Sequence, residues 1–275
     1  MPQNVRACTY RNLDRDAINT ATFSNLLQNH ANECLIILAS NLKARRDRSY
    51  PYETLKNKKI FYFHCTESHC KFSNTSLRMD PILKVWYDCP MMMTENKDVA
   101  SGKANGTQVL LKKVVLRYGQ EISHIHVNSI QVKAVYAHQI DHVLVKHENN
   151  NNLPQFKLEP QDYTFTAQLL APSFISSSPQ ERFPIAMKAM QLTLICNVAT
   201  TCHKLQGSER EKLLVALFSY TKNWPYVALS RVKTIQGLFL RERIDANKDY
   251  SVDSRLKRMR KHLQEKCKPN LFSEN

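Results

Sequence analysis

The sequence predicts an α/β protein whose two ends alternate strands with helices around a hairpin-rich β segment. Three observations carry this reading. Apolar residues recur at helical spacing near the N-terminus. Short β-branched and apolar runs follow one another through the middle. Gly102, Gly106 and Gly119, three of the five glycines, punctuate those runs. Alternating outer elements favour a mostly parallel sheet with flanking helices.

In chain order, Asp14 to Gln28 reads as a helix, with Ala17, Ile18, Ala21 and the Leu26–Leu27 pair on its apolar stripe and Asn12 or Asp14 placed to cap it. Cys34 to Ala39 is an apolar run that fits a buried strand or a helical segment equally. Leu42 to Ser49, with Lys43, Arg45, Arg46 and Arg48, reads as a solvated basic stretch. Strand-like runs follow at Ile60 to Phe63, Leu110 to Leu116, Ile130 to Tyr136 and Val143 to Val145. Asn105-Gly106 predicts a type I′ hairpin turn, because both central positions of that turn need positive φ. Glu148 to Asn152 and the Ser- and Pro-rich Ala171 to Gln180 read as loops. The tail from Asp253 to Lys268 predicts a basic helix with Leu256, Met259 and Leu263 on one face.

Composition narrows the function. The 275 residues are 43% apolar, enough for a core, and carry a formal charge of +15, which points to a polyanionic partner such as nucleic acid. No stretch approaches the ~18 apolar residues of a membrane span, and MPQNVRACTYRNLDRD has no apolar signal core. Eight cysteines without regular spacing suggest reduced thiols, hence a nuclear or cytoplasmic rather than a secreted chain. His64, Cys65, His69 and Cys70 tempt a zinc reading, but their spacing fits no common closed tetrahedral site, so no metal is expected.

The densest chemistry lies in ATTCHKLQG, Ala199 to Gly207, and in NWPYVALSRVKT, Asn223 to Thr234. Both suit phosphate. Thr200 and Thr201 hydroxyls and the His203 ring can hydrogen-bond phosphate oxygens, Lys204 adds charge, and Gly207 marks a place where backbone passes close to something. Arg231 follows the apolar run Tyr226 to Leu229, read as a strand or a first helical turn. Trp224 and Tyr226 can stack on bases or fill a core, the latter favoured for Tyr226. Taken singly, each has a plainer reading: a Thr200 helix cap, a satisfied His203, a surface ion pair for Arg231.

Together, T-x-H-K-x-Q-G followed by Y-V-A-L-S-R resembles the fifth and sixth motifs of superfamily-one DNA helicases. The wording is similar to that of the petite-integration-frequency (Pif-type) helicases and their Helitron-encoded relatives. ACTYRNLDRDAIN, Ala7 to Asn19, resembles the fourth motif, and CPMMMTENKDVASGKANGT, Cys89 to Thr107, resembles the start of the small barrel inserted into the second motor domain. The resemblance implies a second RecA-like motor domain over residues 1–87 and 167–243, an inserted small β-barrel over 88–166 and a basic tail over 244–275. It also implies that Gln206 and Gly207 lie near a γ-phosphate and that Arg231 is an arginine finger, a type of group that matters to rate by orders of magnitude. Arg11 is a further nucleotide-binding candidate. Thr200, Thr201, His203, Lys204 and Trp224, with Lys103 in the barrel beside Lys97, Lys112 and Lys113, would contact single-stranded DNA.

Other helicase parts are missing from the sequence. No G-x-x-x-x-G-K-[ST] loop is present to cradle phosphates, and no Asp-Glu pair is present for magnesium. The chain therefore reads as the C-terminal portion of an ATP-dependent, 5′ to 3′ DNA helicase, inactive alone. ATP and Mg are expected only if an N-terminal motor domain is present. The alternative is a non-catalytic nucleic-acid-binding remnant of a helicase or transposon gene. Two departures favour caution about nucleotide coupling. Gln191-Leu192-Thr193-Leu194 stands where the family has Gln-x-Pro-hydrophobic, and Glu209 stands where Thr is common.

Overall fold

The computed structural model describes residues 5–44, 80–127, 129–148, 152–170, 182–205, 209–216, 224–243 and 254–266. The sequence-predicted strand Ile60 to Phe63, the His64–Cys70 cluster, the loop Ala171 to Gln180, and Gln206 and Gly207 fall outside these residues. The chain divides into two compact units, residues 1–15 with 199–275, and residues 16–198.

The first unit is built on a four-stranded parallel sheet. Its strands are β1 (Arg6–Thr9), β14 (Ala199–Thr201), β15 (Leu213–Val215) and β16 (Leu238–Leu240), in the order β14-β1-β15-β16. Register pairs Cys8 with Thr200 on one side and with Val215 on the other, so β1 is an interior strand. An interior parallel strand is covered on both faces, and all four residues of β1 are buried. The short helix α2 (Trp224–Leu229) buries Trp224, Pro225 and Ala228. Trp224 and Ala228 join Cys8, Cys202, Leu205, Leu213 and Val215 in the core of this unit. The final helix α3 (Ser254–Lys266) confirms the predicted basic helix.

The second unit is mostly antiparallel. Helix α1 (Asn12–His30) extends two residues beyond the predicted Asp14 to Gln28 at each end, and its stripe is narrower than expected. Ala17 and Ala21 are exposed. Phe23 and Leu27, one turn apart, pack with Cys34, Ile36, Val132 and Ala134. Asn12 Oδ1 accepts from Arg15, and the Asp14 carboxylate accepts from Arg11. The ambiguous run after it is strand β2 (Leu35–Leu38), held between antiparallel β4 (Ile82–Val85) and parallel β8 (Ile130–Tyr136). That sheet ends in β7 (Ser123–Val127). Part of the basic stretch expected in solvent is strand β3 (Ser40–Ala44), paired with β12 (Arg182–Gln191), which also pairs with β11 (Gln161–Leu170).

The remaining strands are β5 (Cys89–Met93), β6 (Gln108–Leu116), β9 (Ile140–His147), β10 (Phe156–Leu158) and β13 (Leu194–Cys196), in the order β10-β9-β6-β5-β13. The middle of the chain is therefore hairpin-rich β structure, as expected, but its described strands form open sheets and no closed barrel. The order runs out at β10 and β13 instead of returning on itself, and closure requires the first and last strands to pair. The all-buried Cys-Pro-Met-Met-Met strand explains the methionine run, since β5 contributes Cys89, Met91 and Met93 to a core shared with Val109, Leu111, Val143 and Val145. The turn at Asn105-Gly106 forms, with the Thr107 N–H donating to the Ala104 carbonyl at 3.0 Å. Only Gly106 has positive φ (91°), so the turn is of type II rather than I′.

Gln191 is fully buried and ties this unit together. Its side-chain amide donates to the carbonyls of Ile37 (3.3 Å) and Asp80 (3.0 Å), while its Oε1 accepts from the Leu192 N–H at 3.0 Å. The next departure from the expected pattern, Thr193, gives its carbonyl to the Thr94 N–H at 3.0 Å but buries its hydroxyl without a hydrogen bond.

Candidate nucleic-acid and phosphate site

In an open parallel sheet, ligands meet the loops beyond the carboxyl ends of the strands. In the first unit those ends carry the motif residues. Strand β1 runs out at Thr9 into Tyr10 and Arg11; the parallel strand β14 runs out at Thr201, paired with Thr9, into a 3₁₀ turn over Cys202–Leu205. Ala7–Thr9 and Ala199–Thr201, remote in the chain, are thus paired, and Tyr10-Arg11 and the Cys202–Leu205 turn follow them at one sheet edge.

The hydroxyls of the threonines are not surface groups. Thr200 and Thr201 are buried, and the Thr9 hydroxyl donates to the Thr200 carbonyl at 3.4 Å. Burial at this edge makes them part of the strand pair and leaves the turn to present charge. His203 and Lys204 do so, both exposed, between the buried Cys202 and Leu205. A 3₁₀ turn has three residues per turn, so anchoring its first and fourth residues inside sets the middle two outside.

An aromatic group supports this turn. The Tyr10 ring lies 6.1 Å from the His203 ring and 5.4 Å from Trp224, edge-on to the latter. Trp224 is only 3% exposed. It has no open face for a base, and the core reading of this residue is the one the structure gives. Tyr226 reverses the other expectation: it lies 67% exposed on α2 instead of in a core strand. The helix buries positions 224, 225 and 228, and a residue 200° around from 224 faces outward at 3.6 residues per turn.

Arg231 follows α2 after Ser230. Its backbone carbonyl accepts from the Arg210 N–H at 2.7 Å, and its own N–H donates to Ala228 at 3.1 Å, so the main chain is fixed on both sides. The guanidinium is half-buried, with Nη2 donating to the Ser230 hydroxyl at 3.0 Å. Its charge is felt at the β14 turn. The Cys202 thiol is held below its usual range first by a hydrogen bond from Cys8 and then by the Arg231 charge, while Cys8 is pushed up by the same shared hydrogen bond and by burial. Arg231 therefore stands within electrostatic reach of the segment that carries His203 and Lys204. Arg11 makes a two-pronged pair with Asp14, both distances 3.0 Å, on the first turn of α1.

Lys103 belongs to the second unit. It forms an antiparallel bridge with Asp98, and its Nζ lies 5.2 Å from the centre of the Phe156 ring. The companion Lys112 pairs with Asp88. Gln206 and Gly207 are outside the described residues. Among the described glycines, Gly237 has a close backbone approach: a Cβ there would run into the backbone carbonyl of Glu211. Sequence reasoning missed Tyr10, Cys8 and Cys202. The two cysteines had a signal in the sequence, since each lies beside a motif threonine.

Among the described residues no group of three or more His, Cys, Asp or Glu side chains could hold a metal ion, and no helix is long and apolar enough to cross a membrane. Arg11 and Arg231 offer donor-only groups that suit phosphate oxygens.

Comparison with known proteins finds the same architecture in solved helicases. The chain is similar to a Bacteroides Pif1 bound to single-stranded DNA, with a TM-score of 0.55, 16% identity, and coverage of 95% of this chain and 46% of that one. A Bacteroides Pif1 in complex with ADP-AlF3 and single-stranded DNA gives 0.56, 16%, 98% and 47%. Pif1 from Candida albicans gives 0.56, 15%, 96% and 51%. No protein-family model matches the chain, and no curated protein matches it. At these identities the likeness is one of fold: a helicase-like α/β fold with a parallel sheet. The chain spans about half the length of the solved structures it matches.

Proposed function

We propose that this chain is the counterpart of the C-terminal motor half of a Pif-type DNA helicase and that it binds single-stranded DNA. The observation that carries the proposal is the meeting of Tyr10-Arg11 with the Cys202–Leu205 turn at the carboxyl edge of the parallel sheet, with the Arg231 charge acting on the same turn. His203 and Lys204 hold the strand through its phosphates, which positions without reading sequence. Two of the similar structures hold single-stranded DNA, by their description. The antiparallel region over residues 88–166 is the counterpart of the family's inserted module, with Lys103 as a backbone contact. Arg231 and Arg11 serve a nucleotide held elsewhere, with Gln206 and Gly207 beside them. ATP and magnesium require a phosphate loop and an acidic pair from an N-terminal motor domain, so the chain by itself binds and does not turn over. The direction of travel, 5′ to 3′, belongs to that complete motor.

Fluorescence anisotropy of a labelled oligonucleotide across a salt series tests this. His203→Ala and Lys204→Ala should each weaken binding, and the lysine change should flatten the salt slope by about one contact. Arg231→Ala should leave binding nearly intact. Loss of binding in Arg231→Ala with none in the other two would refute the assignment. The exposed Glu209, two residues past Gly207 in sequence, favours a second reading in which DNA binding persists without nucleotide coupling. Fusion to a complete N-terminal motor domain separates the two: restored DNA-stimulated ATPase supports the first, its absence the second.

A further inference from the structure

Helix α3 concentrates charge more than any other described element. Its thirteen residues hold six Lys or Arg (Arg255, Lys257, Arg258, Arg260, Lys261 and Lys266) against the single Glu265, a net of +5 within a chain total of +15. Lys257, Arg258, Lys261 and His262 form two i, i+4 pairs, so they share one face of the helix, and all four are exposed. Met259 is 60% exposed as well, so this apolar position is not spent on packing. Like charges at i, i+4 destabilise an isolated helix. A sequence that sets Lys257 below Lys261 accepts that cost, which an anionic partner would reverse.

We infer that the face of α3 formed by Lys257, Arg258 and Lys261 is a second phosphate-binding site, separate from the His203–Lys204 turn, and that its ligand is the nucleic-acid backbone. The inference rests on the DNA-binding reading above and adds a site that the helicase motifs do not contain. Thirteen residues span roughly 20 Å, enough to lie along several consecutive phosphates. A nucleic acid is favoured over other anions because the cations are spread along the helix instead of converging on one point. Phosphates repeat along a strand, so a line of cations matches them. Lysine and arginine that meet only phosphate position the strand without reading bases. Hence the site is indifferent to sequence and strongly dependent on salt.

The test uses the full chain with Lys257, Arg258 and Lys261 all changed to Ala. Alanine is the best helix former, so the helix survives, and circular dichroism should be unchanged. Anisotropy of a labelled single-stranded oligonucleotide is read from about 50 to 200 mM salt for the wild-type chain, the triple variant and His203→Ala. Each phosphate contact on a single strand contributes ~0.7 to the log–log salt slope, so the triple variant should lose about 2 and, with the two lines meeting at ~1 M salt, bind on the order of several hundredfold more weakly at the low-salt end. An unchanged slope and affinity in the triple variant, with His203→Ala still impaired, overturns the second site and leaves the His203–Lys204 reading standing. Loss in the triple variant with a normal His203→Ala does the reverse. Wild-type chain that binds vesicles rich in anionic lipid through the same three residues, but not the oligonucleotide, makes α3 a membrane-surface helix and overturns the inference.

Discussion

Replacing Gly237 by alanine isolates the tightest steric constraint found in the first unit. Gly237 is buried, and a Cβ there would overlap the backbone carbonyl of Glu211. A backbone oxygen cannot rotate aside as a side chain can. Relief has to come from moving the Ile235–Gly237 turn away from the approach to β15. That motion strains the Gly237 N–H bond to Thr234 (3.1 Å) and the Leu213–Leu238 pairing that opens the β15–β16 ladder. Overpacking costs ~1–3 kcal/mol, and one or two weakened hydrogen bonds cost about 1 kcal/mol each, so Gly237→Ala should destabilise by about 2–4 kcal/mol. At ~2–4 °C per kcal/mol for a chain of this size, the midpoint should fall by roughly 5–15 °C. Urea unfolding read by tryptophan emission measures the change, because Trp224 lies in the same unit, and an unchanged m value would assign it to stability alone. Ile235→Ala, two residues away at an exposed position, serves as the control and should stay within about 0.5 kcal/mol. A Gly237→Ala variant as stable as that control would refute the reasoning.

Thr193→Val should stabilise the second unit by about 1 kcal/mol, since it removes a buried hydroxyl that has no partner while keeping its shape; a loss of stability in urea would mean that the hydroxyl is satisfied. Trp224→Ala should cost ~3–5 kcal/mol by opening a cavity, whereas Tyr226→Ala should leave unfolding unchanged, and equal costs would refute their placement. His147 titrates below 6.5 in the folded chain, through burial and then repulsion by Lys103. The unfolded chain therefore takes up this proton first, so the contribution is complete above about pH 6.5 and is lost as the pH falls from there through the lowered pKa of the folded chain. A histidine titration followed by NMR that placed His147 above 6.5 would reverse the sign. The purified chain should show no ATPase activity with or without single-stranded DNA. A turnover of ~1 s⁻¹ that vanished in Arg231→Ala would overturn the view that the chain cannot hold and cleave nucleotide alone.

Local pattern was readable where a segment's own residues decide its structure. Ile130 to Tyr136 is a strand over the predicted span, and α3 was visible from its charges and spacing. The run at Cys34 stayed ambiguous because its state is set by neighbours. Leu35–Leu38 is a strand since β4 and β8 supply both hydrogen-bonding edges, and those lie some fifty and a hundred residues downstream. Tyr226 was misread because an apolar run of four looks the same in strand and helix, and only the helical period reveals which residue turns outward. Thr200 and Thr201 were named for the right segment, but what they offer a ligand depends on burial between strands, which the motif alone does not show. Gly237 has its role from the Glu211 carbonyl, remote from it in sequence, which no motif signals. Cys8 and Cys202 become a pair only through the β1–β14 register.

That register also dictates an order of events during synthesis. Ala7 pairs with Ala199, so β1 leaves the ribosome about 190 residues before β14 and still longer before β15. At ~5–20 residues per second the wait is roughly 10–40 s. Throughout it, a strand destined to be buried on every side has neither partner. Residues 16–198 can complete their own sheets in that interval. The nascent chain therefore carries β1 as an unpaired strand, a candidate for chaperone protection, until the motif that closes the sheet is translated.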